Sequence, residues 1–165
     1  MKKAKKALSD TEPYFFEMQS AIRRILRHVP DIEHAFFDER PEIPKKDRKI
    51  GHIIVTADKG LAGAYNHNVI KIAEKEALSD NKNMLFVVGQ VGRKYFEKKN
   101  IPIDIDFKYT AQNPNVNRAR VISEKIVELF REKKLDEVYI VYTRMVNSVT
   151  FDAEIKQLLP LKKVK

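Results

Sequence analysis

Short runs rich in β-branched residues alternate with helical stretches after residue 49, and this alternation most constrains the fold. Residues 50–56 and 84–88 are apolar enough to form buried strands. Apolar residues at helical spacing follow each run, over residues 64–78 and 91–99. Because strands that are joined through a helix take right-handed crossovers, the pattern predicts a mainly parallel sheet with helices on both faces.

The last third of the sequence completes this predicted sheet. Residues 101–107 alternate between apolar and polar side chains, which is typical of a strand with one wet face, and residues 115–133 have the spacing of a long helix. A strand is predicted over residues 138–145, and residues 149–155 alternate again after a short turn, which favours an antiparallel hairpin. The predicted fold class is α/β: a three-layer α/β/α Rossmann-like domain with a mainly parallel sheet and an antiparallel edge hairpin.

The first 29 residues have a narrower apolar pattern. Apolar residues recur there in steps of three and four, a heptad spacing that favours contact with another helix. The pattern predicts a long coiled-coil-type helix ahead of the domain, with a partner seam formed by Leu8, Phe15, Met18, Ile22, Ile25 and Val29. An ordinary amphipathic helix that packs on the domain is the alternative. Pro13 predicts either a kink or the start of a new helix.

The positions of prolines and charged residues predict how the chain is divided into a helix, a linker and a domain. Three prolines among mixed charges predict a linker in residues 30–49, between the helix in residues 1–29 and an α/β globular domain in residues 50–165. Four lysines within the first six residues oppose the positive end of a helix dipole. Either the helix naturally begins before Met1, or these residues form a solvated basic tail.

The net charge of +9 makes nucleic acid a candidate partner. Seven lysines at the two ends supply most of it, and residues 7–161 carry 25 basic and 23 acidic groups, a balance of only +2. Because no aromatic residues are interleaved with a basic face, we predict no nucleic-acid partner. The sequence has no cysteine for disulfides or thiolate chemistry. No apolar run approaches the roughly 18 residues of a membrane span.

Gly60 and Gly63 follow the first predicted strand and precede a helix, where many α/β proteins hold a phosphate. Their spacing fits neither the dinucleotide fingerprint nor a P-loop, so a tight turn is favoured over a phosphate loop. Asn66 is interpreted as a capping or surface residue of the next helix. Asp104 and Asp106 fall short of a cation site, and the histidines and serines show no ligand or catalytic spacing. No catalytic, cofactor-binding or metal-binding residue is predicted.

Three stretches resemble the γ subunit of F-type ATP synthases. VTADKGLAGAYNHNVIK at residues 55–71 closely resembles the family signature around SDRGLCGGYNSNV. KAKKALSDTEPYFFEM at 3–18 is similar to the end of the family's N-terminal stalk helix, and YTRMVNSVTFDAEIKQLLPL at 142–161 resembles a hairpin that ends in QLLPL. The residues that carry the signature turn are Asp58, Lys59, Gly60, Leu61, Gly63, Tyr65 and Asn66. The departures are Ala57 for Ser, Lys59 for Arg, Ala62 for Cys and Ala64 for Gly.

This resemblance implies a central rotor stalk subunit, which couples proton flow to ATP synthesis by rotation and catalyses nothing itself. In the family, the shaft contacts the α and β subunits, while the globular body binds ε and faces the membrane c-ring. Residues 1–29 would be part of the N-terminal stalk helix. The family's long C-terminal helix has no counterpart after Lys165, so we interpret the sequence as a piece of a longer chain.

The expected location is a peripheral membrane complex, on the cytoplasmic face of a bacterial inner membrane or on the mitochondrial matrix face. The resemblance implies no cofactor and no small-molecule substrate. The alternative is a small nucleotide-binding α/β enzyme that uses the loop from Gly60 to Gly63.

Overall fold

The computed structural model describes two compact units, one formed by residues 1–37 and 161–165 and the other by residues 38–160. The residues that it describes are 17, 20, 21, 23–25, 27, 28, 34–59, 64–80, 82–111, 116–147 and 149–162. In the first unit, the described residues between 17 and 28 have helical backbone, and a 3-10 helix spans Ala35–Phe37. The predicted long N-terminal helix is not among the elements formed by the described residues, since most of its seam lies outside them.

A four-stranded sheet forms the centre of the second unit. Its strands are β1 (Ile50–Val55), β2 (Met84–Val88), β3 (Glu137–Met145) and β4 (Phe151–Leu159), in the order β2-β1-β3-β4. Strand β1 pairs in parallel with β2 and with β3, and β4 pairs antiparallel with β3 at the edge. The predicted α/β class, the parallel majority and the antiparallel edge pair are confirmed.

The described residues of the second unit form three α-helices: α1 (Ala64–Ser79), α2 (Gln90–Lys98) and α3 (Val116–Arg131). Helices α1 and α2 share one buried cluster with the sheet, formed by Ile54, Val69, Ile70, Ala73, Leu85, Val87, Phe96, Ile101 and Val141. Successive strand residues point to opposite faces, so Ile53 and Phe86 point away from this cluster, and both are buried. In α3, Ile126 and Phe130 are also buried.

Residues 101–107 do not form the predicted strand. The only regular pairing nearby, among the described residues, is an isolated bridge between Val88 and Tyr109. The Oδ1 atom of Asp104 instead accepts the backbone N–H groups of Asp106 and Phe107, both at 3.0 Å. A side chain that bonds its own backbone in this way competes with a strand ladder, and Pro102 has no N–H to give to one.

Residues 38–49, which fall in the predicted linker, hold a buried arginine. The guanidinium of Arg40 donates from Nη1 to Asp136 Oδ1 at 2.9 Å and to the carbonyl of Leu135, and from Nη2 to the carbonyl of Phe130. The other oxygen of Asp136 accepts the backbone N–H of Lys49 at 2.8 Å. The positive charge stands at the carboxyl end of α3, where the helix dipole favours it. These contacts fasten the segment ahead of β1 to the segment ahead of β3.

Candidate functional site

The candidate site is the turn after β1, at the carboxyl edge of the parallel strands. This edge is where open α/β sheets bind ligands. The structure describes Asp58 and Lys59 on one side of the turn and residues from Ala64 onwards on the other. Gly60, Leu61 and Gly63 lie outside the described residues, and only the backbone of Tyr65 is described.

The carboxylate of Asp58 accepts hydrogen bonds from backbone N–H groups of the protein. The Oδ1 atom accepts the backbone N–H of Gln90 at 3.2 Å, and both oxygens accept the N–H of Ala111, at 3.2 and 3.1 Å. Gln90 is the first residue of α2, and the residue before it, Gly89, provides no side-chain cap. A helix N-terminus favours negative charge and often binds phosphate. In this protein the carboxylate of Asp58 occupies that position on α2.

Asn66 also bonds within the turn region rather than at the surface. It is buried, and its Oδ1 atom accepts the backbone N–H of Ala57 at 2.9 Å. The interpretation of Asn66 as a surface residue is therefore wrong, and its bond joins the first turn of α1 to the end of β1. Asp58 and Asn66 are polar residues of the signature turn, and the side chain of each accepts a backbone N–H from a neighbouring segment.

A second pair of glycines, which the sequence reasoning missed, lies at the same edge. Gly89 has a φ of 95°, and a Cβ atom added there would lie 2.1 Å from the backbone oxygen of Thr56. The hydroxyl of Thr56 donates to Val88 O at 2.9 Å and accepts the N–H of Gly92 at 3.0 Å. The glycines thus let α2 approach β1 closely. The signal was present in the sequence, because MLFVV is followed at once by GQVG.

The predicted helix seam can be examined at one position only. Ile25 has helical backbone and a side chain that is 55% exposed. Leu8, Phe15, Met18, Ile22 and Val29 lie outside the described residues. The partner seam therefore stays a prediction.

The described parts of the chain contain no group of three or more His, Asp or Glu side chains that could hold a metal ion. No helix among them is long and apolar enough to cross a bilayer.

The fold and the edge geometry define a mixed α/β body, and the comparisons give its family. The family model described as ATP synthase matches residues 1–165, so the chain belongs to the ATP synthase family. Within that family it is similar to gamma chains. It is 42% identical over 164 residues to the ATP synthase gamma chain of Ruminiclostridium cellulolyticum, covering 98% of this chain and 55% of that relative. The gamma chain of Acetivibrio thermocellus is 41% identical over 162 residues, covering 98% of this chain and 54% of that relative.

A solved structure supports the fold. The central stalk and c-ring part of the mitochondrial ATP synthase of Tetrahymena thermophila contains a chain with a TM-score of 0.62 and 18% identity, covering 84% of this chain and 59% of that chain. At this identity the likeness concerns the fold alone. The resemblance to γ subunits that the three stretches indicated is confirmed by the gamma-chain relatives, and the chain spans about half of their length.

Proposed function

We propose that this chain is the globular body and part of one shaft helix of a rotary central stalk. In this proposal it transmits torque between a membrane c-ring and the catalytic α and β subunits, binds ε through its body, and catalyses nothing itself. The observation that carries the proposal is the 41–42% identity to ATP synthase gamma chains along 98% of this chain.

The contacts of the body support this role, because an element that transmits torque must be stiff. Asp58 ties the end of β1 to the start of α2 and to Ala111. The Arg40–Asp136 pair fastens the segment ahead of β1 to the residues that precede β3. Both ties join parts of the chain that are distant in sequence, and so resist sliding of one element past another.

The layers of the body follow from the same reasoning. Helices α1 and α2 lie on one face of the sheet. The connection from β2 to β3 passes to the other side of β1, so a right-handed crossover places α3 on the opposite face. We infer a three-layer α/β/α arrangement of the Rossmann type.

The shaft is inferred from the heptad pattern and from the exposure of Ile25. We infer that residues 1–29 form part of the N-terminal stalk helix, that residues 30–49 connect it to the domain in residues 50–165, and that the seam from Leu8 to Val29 packs against the C-terminal helix of the complete subunit. The complex would be peripheral to a membrane, and bacterial relatives favour the cytoplasmic face of a bacterial inner membrane.

A chimera tests the torque role. These 165 residues would replace the matching part of the Ruminiclostridium cellulolyticum gamma chain, and ATP-driven proton pumping would be measured in inverted membrane vesicles. We expect the chimera to assemble and to pump. A second chimera with Ile25→Lys should lose pumping, whereas Val121→Lys, which changes an equally exposed apolar residue of α3, serves as the matched control. If the first chimera, without either substitution, assembles and hydrolyses ATP but does not pump protons, the proposal is contradicted.

A thermal shift separates the proposal from the nucleotide-binding alternative. A ligand at 100 times its dissociation constant stabilises a protein by about 2.7 kcal/mol. We expect no shift of the 165-residue chain with ATP, ADP or NAD. A clear shift that disappears in a Gly60→Val, Gly63→Val variant would favour the enzyme instead.

A further inference from the structure

A buried histidine lies beneath the C-terminal half of α1. His52, on β1, is 2% exposed, and its ring stacks on Tyr139 with 5.5 Å between ring centroids. The Nε2 atom is 3.6 Å from Glu76 Oε2, which is too long for a hydrogen bond. The Nδ1 atom is buried and has no hydrogen-bond partner among the described residues. Neither ring nitrogen therefore has a good partner in this packing.

The charged groups that face His52 come from two elements. Glu76 belongs to α1, and Glu137 and Tyr139 belong to β3, where the Tyr139 hydroxyl donates to Glu137 Oε1 at 2.9 Å. Arg48 lies 3.8 Å from Glu137. The paired residue on β2 is Leu85, which does not titrate. Burial lowers the pKa of His52, and the carboxylates of Glu76 and Glu137 oppose that effect without cancelling it.

The end of α1 is held by packing of Ala77 on the buried cluster and by hydrogen bonds from Asn83. Asn83 donates from Nδ2 to the carbonyl of Glu76 at 2.7 Å and to Ser79 Oγ at 3.1 Å. The Oδ1 atom of Asn83 is buried without a hydrogen-bond partner in the described part of the chain. Leu78, in the last turn, is 73% exposed. The two buried atoms without partners, His52 Nδ1 and Asn83 Oδ1, would gain hydrogen bonds to water if this end of the helix opened.

We propose that His52 is a proton-operated latch for the C-terminal half of α1. The closed packing requires a neutral imidazole. In the open state the last turns of α1 leave the sheet together with Glu76, and water reaches the ring and solvates the imidazolium. A proton binds to the open state more tightly than to the closed one, so acid favours opening.

The direction of the pH dependence follows from the lowered pKa. The ordinary value for histidine is 6.5, and the open or unfolded chain has this value. The closed state is therefore fully favoured above pH 6.5, and its advantage is lost as the pH falls from 6.5 towards the lower pKa of the closed state. Within that window the opening constant rises by up to about tenfold for each unit of pH.

Amide hydrogen exchange of the 165-residue chain at pH 5.5, 6.5 and 7.5 tests the latch. After correction for intrinsic exchange rates, residues 74–79 should open several-fold more often at pH 5.5 than at pH 6.5, and the amides of β3 should not follow. His52→Leu should remove this dependence. His67→Gln should keep it, because His67 lies on the same helix with an exposed side chain. An unchanged dependence in His52→Leu, or an equal dependence in α1 and β3, would overturn the proposal.

The histidine ring of the unaltered protein gives a second test that does not depend on how the variant folds. NMR titration should give His52 a pKa below 6.5, and Glu76→Gln should lower that pKa further, because the imidazolium loses its nearest carboxylate. Titration of His52 at or above 6.5 would also overturn the latch.

Discussion

Arg40 Nη1 and Asp136 Oδ1 lie 2.9 Å apart, and both side chains are at most 2% exposed. The ring of Phe130 lies 4.2 Å from the guanidinium carbon, so the charge is also covered by an aromatic face. A buried ion pair of this kind adds little to stability relative to apolar residues, but the loss of one partner leaves the other charge buried and unpaired.

We expect Asp136→Asn to lower the free energy of unfolding by about 3–5 kcal/mol. The amide keeps the shape of the carboxylate but loses the charge, and cannot accept from both Arg40 and Lys49. Urea denaturation measures the change. The matched control is Glu154→Gln, which affects the half-exposed pair with Arg144 at 2.9 Å and should change stability by no more than about 1 kcal/mol. Similar losses in the two variants would show that burial of the pair is unimportant.

Gly89, just before α2, and Gly92, within it, should respond unequally to alanine. At Gly89 the methyl group meets the backbone oxygen of Thr56 at 2.1 Å with φ at 95°, and we expect a loss of about 2–5 kcal/mol. At Gly92 the methyl group crowds side-chain atoms of Thr56 and Val87 at 2.9 Å, but none of these nearest atoms is a backbone atom, and alanine favours helix there. The midpoint temperature of thermal unfolding should therefore be much lower in the Gly89→Ala variant than in the Gly92→Ala variant. The reverse order would contradict the close approach of α2 to Thr56.

The carboxylate of Asp58 should stabilise α2 through its charge and through its hydrogen bonds. We expect Asp58→Ala to cost about 1–2 kcal/mol, and Asp58→Asn, which keeps one acceptor oxygen, to cost about half as much. Hydrogen exchange should locate the loss at the first turn of α2 and at Ala111. Half-buried Asp80, whose side chain accepts the local backbone N–H of Lys82, provides the control through Asp80→Asn. An equal cost at both positions would contradict the bridging role.

These contacts show where sequence reasoning succeeded and where it failed. The strands could be predicted because residues 50–55 and 84–88 have a local apolar pattern that only burial explains. The buried role of Arg40 could not be predicted from a local pattern, because its partner Asp136 is 96 residues away in the sequence. The residues next to Arg40 and Asp136 form no pattern that indicates a pair. Prolines 41 and 44 correctly indicate irregular backbone, but composition cannot tell a free linker from a segment that is tied down by one buried charge.

The strand prediction for residues 101–107 failed for a different reason. Its alternation matches a strand, yet Ile105 is 71% exposed while Ile101 and Phe107 are buried. An alternating pattern assumes that one flat face meets the core, whereas here the turn at Asp104 rotates Ile105 away. Gly89 and Gly92 have the same spacing as Gly60 and Gly63, and their close contacts with Thr56 show a geometric need for glycine. Gly60 and Gly63 lie outside the described residues.

Tyr139 should give the protein an alkaline transition. Burial, and then the hydrogen bond to Glu137, raise the pKa of Tyr139 from 10.0 to about 12. The folded state keeps the phenol neutral, so this contribution to stability is complete below pH 10 and is lost as the pH rises through 12. Absorbance at 295 nm of the protein minus that of Tyr139→Phe should titrate near pH 12, and Glu137→Gln should move the midpoint down. A midpoint at pH 10 for Tyr139 in the unaltered protein would contradict the raised pKa of this half-buried phenol.

The predicted seam should make this chain self-associate at high concentration, because an apolar heptad stripe without its partner can pair with a second copy. Light scattering should show a concentration-dependent mass. Ile25→Lys should reduce it, and Val121→Lys, a comparably exposed position on α3, should not. A monomer mass at all concentrations would contradict the prediction that the apolar seam pairs with a second copy.

The proposal that this chain is a stalk body, which binds ε and not nucleotide, is tested most directly by calorimetric titration of the 165-residue chain with the ε subunit of the same organism, followed by ATP. We expect one ε bound per chain with a dissociation constant of about 1 µM or tighter, and no heat of ATP binding to this chain. Binding of ATP by this chain together with no binding of ε would contradict it.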